Sequence, residues 1–155
     1  MPTKSIAHDV MKEMLSRLDY IVLKPELILA VESDELQQRY PEAKIVDSVS
    51  EEYSVDLIIA NLVQNNLETE IQAWRRLLKP NGLLMFSTFG VEMHDIGDAL
   101  LRAGFSDPVM DVEPITFNAQ LYEVIYGHAW GAMPVGYTAD EAGIVKIPIT
   151  SLKKQ

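Results

Sequence analysis

The sequence predicts an α/β fold in which a mostly parallel sheet carries helices on both faces and closes in a C-terminal antiparallel hairpin. Two observations carry this expectation. Short, largely apolar runs, "LILAV" (27–31), "VDLIIANLV" (55–63) and "LLMFSTF" (83–89), alternate with segments whose apolar residues recur at helical spacing. The last two strand-like runs, 108–117 and 121–128, are separated only by "NAQ", which can join antiparallel strands but not parallel ones.

Each element has its own signal. Ile6, Val10, Met11, Met14, Leu15 and Leu18 mark an amphipathic helix, with Ser5 available as its cap. The strand at 27–31 follows Pro25. Asp34 is placed to cap a short helix that Pro41 ends. "AKIVDSV" (43–49) reads as the second strand and 55–63 as the third. Asn66 is placed to cap a helix over 67–78, with Glu68 and Glu70 in its first turn and Arg75, Arg76 and Lys79 near its end, all favourable to the helix dipole. "KPNG" stops it, and 83–89 forms the fourth strand. "HDIGDALLRAGF" is a helix with Asp95 as cap and Gly104 just past its end. Residues 1–131 are expected to form one domain and 132–155 a tail, in which "GIVKIPI" (143–149) is the segment able to add an edge strand.

Composition narrows the functional classes. A chain of 155 residues suits one domain with a single sizeable core. A net charge of −10 speaks against nucleic acid or an anionic membrane surface as partner, because both require clustered Lys and Arg. The absence of cysteine excludes disulfides, thiolate metal sites and cysteine nucleophiles. No apolar run approaches the ~18 residues of a membrane span, and the N-terminus has no core of signal-peptide type, so a cytoplasmic location is expected.

The wording of several segments goes beyond the general plan. "VDLIIANLVQNNL", "AWRRLLKPNGLLMFSTFG" and "MHDIGDALLRAGFSDPVMDVEPITF" resemble the BioC family of class I S-adenosylmethionine-dependent methyltransferases, which methylate the carboxylate of malonyl-acyl carrier protein. "RLDYIVLKP" and "YEVIYGHAWG" are similar to the same group, so the resemblance covers roughly residues 6 to 131. It implies a Rossmann-like methyltransferase sheet, here in reduced form.

The departures from the family all fall on the ligand side. Family members carry a loop of the form DxGxGxG after the first strand, where backbone N–H groups approach the cofactor because no side chain intervenes. This chain has Ala30, Val31, Glu32, Ser33, Asp34 and Glu35 there. From "KIVDSV" it reaches "VDLIIANLV" through only "SEEYS", a crossing that extended chain can make and a helix cannot. The helical lid of the family is reduced to "VEM" (91–93), and "NAQ" replaces a longer insertion in the hairpin. The ends of the chain match the family, which points to internal deletion.

Candidate site residues follow from this comparison. Glu32, with Asp34 and Glu35, stands where a cofactor loop would be, or forms a solvated turn with a helix cap; like charge there opposes a methionine carboxylate. Asp47 follows a strand where the family holds the ribose hydroxyls, or is a surface carboxylate. Asn61 ends the third strand at the rim where this fold places substrate groups, or caps backbone there. His94, Asp95 and His128 lack the spacing of a catalytic or metal motif. Methyl transfer to a carboxylate needs alignment more than a base, so the lack of a catalytic dyad says little.

The leading expectation is a degenerate methyltransferase-fold protein with no catalytic residue, no metal and no turnover of cofactor, acting as a binding or regulatory module. Its partner would be a second copy, in a homodimer, or another protein, held through the unlidded face or the sheet edge. The alternative is an active enzyme that binds S-adenosylmethionine through Glu32, Asp47, Asn61 and the rim after Thr88 and methylates a carboxylate or protein substrate.

Overall fold

Strand β3 (Val55–Val63) and strand β4 (Leu78–Thr88) form the centre of the sheet, and both of their faces are buried, which is why their sequences are apolar without alternation. The computed structural model describes residues 2–64, 66–131, 138–139 and 145–146. Around the two central strands lie α1 (Pro2–Arg17), β1 (Leu27–Leu29), α2 (Asp34–Arg39), β2 (Lys44–Val46), α3 (Leu67–Leu77), α4 (Met93–Ala103), β5 (Phe105–Phe117) and β6 (Gln120–Gly131). The strand order is β2-β1-β3-β4-β6-β5. Strands β2, β1, β3 and β4 run parallel, while β6 is antiparallel to both β4 and β5. The expected α/β architecture, with its mostly parallel sheet and C-terminal hairpin, is the one observed.

Helices cover both faces. On one, Val10, Met14 and Leu36 of α1 and α2 pack on Leu57, Ile59 and Met85. On the other, Ile71, Trp74 and Leu100 of α3 and α4 pack on Ile58, Leu84 and Phe86. The chain returns from β2 to β3 over this second face without a helix, and Val49 packs into its core. The end of that crossing is pinned where Tyr53 N–H and Ser54 N–H donate to the carbonyls of Arg76 and Leu77 at 2.9 Å.

Several local expectations are corrected. The cap of α2 is Ser33 rather than Asp34: its hydroxyl accepts from Leu36 N–H at 3.1 Å, while Asp34 sits in the first turn. Helix α4 starts at Met93, so His94 and Asp95 lie within it. Asn66 does occupy the N-cap position of α3, but in the left-handed region (φ 58°) and without a side-chain bond. Helix α1 begins at Pro2, ahead of Ser5. Strand β4 begins at Leu78, five residues early, because "KPNG" is taken up as a bulge between the pairs Val55↔Leu78 and Leu57↔Leu83.

The turn between β5 and β6 is two residues, Asn118 (φ 53°) and Ala119 (φ 61°), the left-handed pair that matches strand twist. In the tail, Thr138–Ala139 (β7) pairs with Val145–Lys146 (β8) in a separate two-stranded ribbon; the rest of the segment expected as an edge strand lies outside the described residues. No helix of the described residues is long and apolar enough to cross a membrane.

Candidate functional site

At the C-terminal ends of β1, β2 and β3 the chain leaves the sheet toward opposite faces, to α2 after β1 and to α3 after β3. A crevice opens at such a point in parallel sheets. Here it is an open groove of about 400 Å³ whose lining includes Leu29, Val31, Asp47, Ala60, Asn61 and Trp74. Two of the three residues singled out from the sequence, Asp47 and Asn61, therefore share one groove. Glu32 does not line it; with Asp34 and Glu35 it lies exposed on the turn beyond.

The turn itself makes no cradle. None of the residues from Ala30 to Glu35 has a positive φ, each carries a side chain, and Val31 is 76% exposed. Ser33 fills the start of α2 from within: its hydroxyl takes Leu36 N–H and its carbonyl takes Gln37 N–H at 3.0 Å. Amides that could meet an anionic ligand are thus partly used, in a turn that bears three carboxylates.

Asn61 is held on both ends of its amide. Its Nδ2 donates to the carbonyl of Ala7 in α1 at 2.9 Å, and its Oδ1 accepts from the Ser87 hydroxyl at 2.9 Å. Ser87, fully buried, accepts in turn from Leu62 N–H at 2.7 Å. Leu62 occupies the left-handed region (φ 53°), where the β3–β4 register shifts. Thr88, also buried, donates to the Val63 carbonyl on the same rim. Asn61 thus ties α1 to the end of β3, and the capping role weighed for it from the sequence is present.

The histidines do not assemble a site. His94 Nδ1 lies 3.6 Å from an Asp95 oxygen and 3.7 Å from Asp98, all on the exposed surface of α4. His128 lines a different cavity of about 350 Å³ below the end of α1, together with Arg17, Tyr20, Asp111 and Tyr126. Burial first, and then the Arg17 charge, hold His128 below its ordinary value of 6.5. The Arg17 guanidinium sits 4.2 Å from the centroid of the Tyr126 ring and is bracketed by Asp111 at 2.6 Å and by Glu13 and Glu113 at 3.0 Å. Burial and the surrounding carboxylates push Tyr126 up to about 12. One guanidinium faces three carboxylates here, and the cluster offers no activated nucleophile. Among the described residues no group of three His, Cys, Asp or Glu side chains could hold a metal ion.

Two structural residues escaped the sequence reading. Asp56 accepts from Glu26 N–H and Leu27 N–H at 3.0 Å and pairs with Lys79 at 3.1 Å, so it aligns β1 on β3. A lone carboxylate inside an apolar strand was the available signal. Arg17 gave none, because Asp111 and Tyr126 are remote in sequence.

Comparison with known proteins addresses the resemblance. No protein-family model matches the chain. A malonyl-[acyl-carrier protein] O-methyltransferase of Methylovorus sp. is 38% identical over 106 residues, covering 52% of this chain and 33% of the relative. Malonyl-[acyl-carrier protein] O-methyltransferase 1 of Coxiella burnetii is 34% identical over 152 residues, covering 64% and 54%. Over the aligned stretches the chain is similar to the malonyl-[acyl-carrier protein] O-methyltransferases. It spans about half or less of the length of these two relatives. The corresponding protein of Gallionella capsiferriformans is 28% identical over 206 residues, covering 89% of this chain and 70% of the relative.

Solved structures agree on the fold. Haemonchus contortus phosphoethanolamine N-methyltransferase 2, in complex with S-adenosyl-L-methionine, superposes with a TM-score of 0.57 at 11% identity, covering 78% of this chain and 52% of that one. Burkholderia thailandensis 1,6-didemethyltoxoflavin-N1-methyltransferase does so with a TM-score of 0.56 at 17% identity, covering 84% and 85%. The fold is the Rossmann-like one that these two methyltransferases share.

Proposed function

We propose that this chain is a methyltransferase-fold binding module that does not turn over S-adenosylmethionine. The observation that carries the reading is the turn from Ala30 to Glu35. It has no glycine, no left-handed residue and three carboxylates, so a methionine carboxylate brought there meets side chains and like charge instead of free backbone amides. The Gallionella alignment supports internal shortening: its 206 positions exceed the 155 residues of this chain, so the relative carries segments between aligned parts that this chain lacks. In this reading residues 1–131 act as one unit that engages another protein.

A second reading is favoured by one observation, the joint presence of Asp47 and Asn61 on the groove at the ends of β2 and β3. There the chain is an active methyltransferase on a carboxylate or protein substrate. Asp47 would hold ribose hydroxyls, and Asn61, already bonded to Ala7, would present its remaining amide capacity; Glu32 contributes nothing from outside the groove. Calorimetric titration with S-adenosylmethionine and S-adenosylhomocysteine separates the two. The binding-module reading expects no heat of binding up to millimolar ligand, and micromolar affinity for either compound refutes it.

A further inference from the structure

A second groove lies outside the lining of the first, between the β4–α4 loop and the β5–β6 hairpin. Strand β4 ends at Thr88, opposite Ile125, whereas β5 and β6 continue to pair from Glu113↔Val124 to Phe117↔Gln120. Among the described residues no strand pairs with 120–124 on the β4 side, so this stretch of β6 presents a bare backbone edge. The groove beside it measures about 710 Å³, within the ~300–1,000 Å³ usual for binding sites. Part of its wall is apolar. Phe89 meets Tyr122 edge-on with ring centroids 6.1 Å apart, and Val91, Met93 and Leu121 continue the surface. Leu121 is 63% exposed. The lining carries two exposed carboxylates, Glu92 and Glu123, and no Lys, Arg or His.

We propose that this groove docks an extended segment of a partner protein in which apolar side chains alternate with Lys or Arg. The free edge of β6 bonds to the main chain of an added strand, the apolar part of the wall takes alternate side chains, and the carboxylates select cations over anions. A second copy of this chain is disfavoured, since each copy carries a net charge of −10 and two-fold pairing would set Glu92 and Glu123 against their counterparts. An anionic occupant, such as the malonyl group for which the relatives are named, meets the same repulsion. The inference rests on the binding-module reading and names the partner's chemistry.

The test uses the full chain and a fluorescein-labelled octapeptide of alternating lysine and valine, followed by anisotropy at 0.15 M ionic strength, where screening over about 8 Å suppresses attraction by net charge alone. Saturable binding is expected, with new hydrogen-exchange protection over 120–124 and no binding of the glutamate–valine counterpart. Leu121→Asp and the pair Glu92→Lys with Glu123→Lys should each weaken it about tenfold, all three positions being exposed. No binding, equal binding of both peptides, or binding that these variants leave unchanged would overturn the proposal. So would a dimer in sedimentation that Leu121→Asp dissolves, which would give the groove to a second copy. Cofactor affinity in the separate titration refutes the non-catalytic reading alone, because it does not depend on Leu121.

Discussion

Replacing Ser87 by Ala should destabilise the fold by about 2–3 kcal/mol. The Ser87 hydroxyl donates to Asn61 Oδ1 at 2.9 Å and accepts from Leu62 N–H at 2.7 Å, at a position with no solvent exposure. Loss of the bond to Asn61 costs about 1 kcal/mol net, and an unpaired N–H at Leu62 adds about 1–3 kcal/mol when buried. Two effects reduce the sum. Leu62 is only half-buried, so water reaches part of the vacated bond, and its left-handed backbone, which costs a non-glycine residue about 1 kcal/mol, can relax. The assay is urea unfolding of both proteins, with the midpoint lowered and the slope unchanged. A double-mutant cycle with Asn61→Ala should show coupling of at least about 0.5 kcal/mol. A loss below about 0.5 kcal/mol for Ser87→Ala would refute the view that this hydroxyl holds the rim of the groove, since surface-type substitutions give as much.

Three further outcomes are expected. Ala119→Gly should raise stability by about 0.5–1 kcal/mol in the same urea assay, because φ is 61° at that turn position and glycine adopts it without steric cost. Gly127→Ala should lower stability by about 1–3 kcal/mol, since an added Cβ would lie 2.5 Å from Phe86 Cζ in a fully packed layer; a neutral result would mean that the Phe86 ring has room to turn. Folding stability should also fall as pH drops below about 6.5, because His128 is held below its ordinary value and the unfolded chain takes up the proton first. That contribution is fully present above pH 6.5 and is lost as pH falls through the folded-state value. His128→Gln should flatten this part of the urea midpoint against pH curve, and an unchanged curve would remove His128 as its source.

The elements that were legible in the sequence are those whose signal is local. The apolar run 55–63 is β3 to the residue, and "NAQ" could only be a hairpin turn. Boundaries slipped where two adjacent residues could play the same part. Ser33 and Asp34 are both good caps, and the choice fell to Ser33 because its backbone is extended (φ −148°) while Asp34 is already helical. "KPNG" looks like a stop, yet pairing with β3 draws Leu78 into the strand and leaves the four residues as a bulge.

The candidate site was legible only in part, for a related reason. Asp47 and Asn61 stand at strand ends, and parallel pairing of β2, β1 and β3 brings those ends to one groove. Glu32 also follows a strand but does not line the groove; it lies exposed on the turn that leads into the Ser33 cap. The partners of Asn61, Ala7 and Ser87, are 54 and 26 residues away, and no local pattern pairs them.

By itself, the sequence determined the class of fold, the order of its elements and the absence of glycine from the first turn, because apolar periodicity, connection length and residue type act over a few neighbours. Only the tertiary structure decided which strand ends meet, that Asn61 is engaged by α1 and Ser87, and that among the described residues no strand covers the β6 edge beside a groove lined by apolar side chains and two carboxylates. Those features arise from contacts between residues tens of positions apart, whose geometry exists only once the sheet has closed.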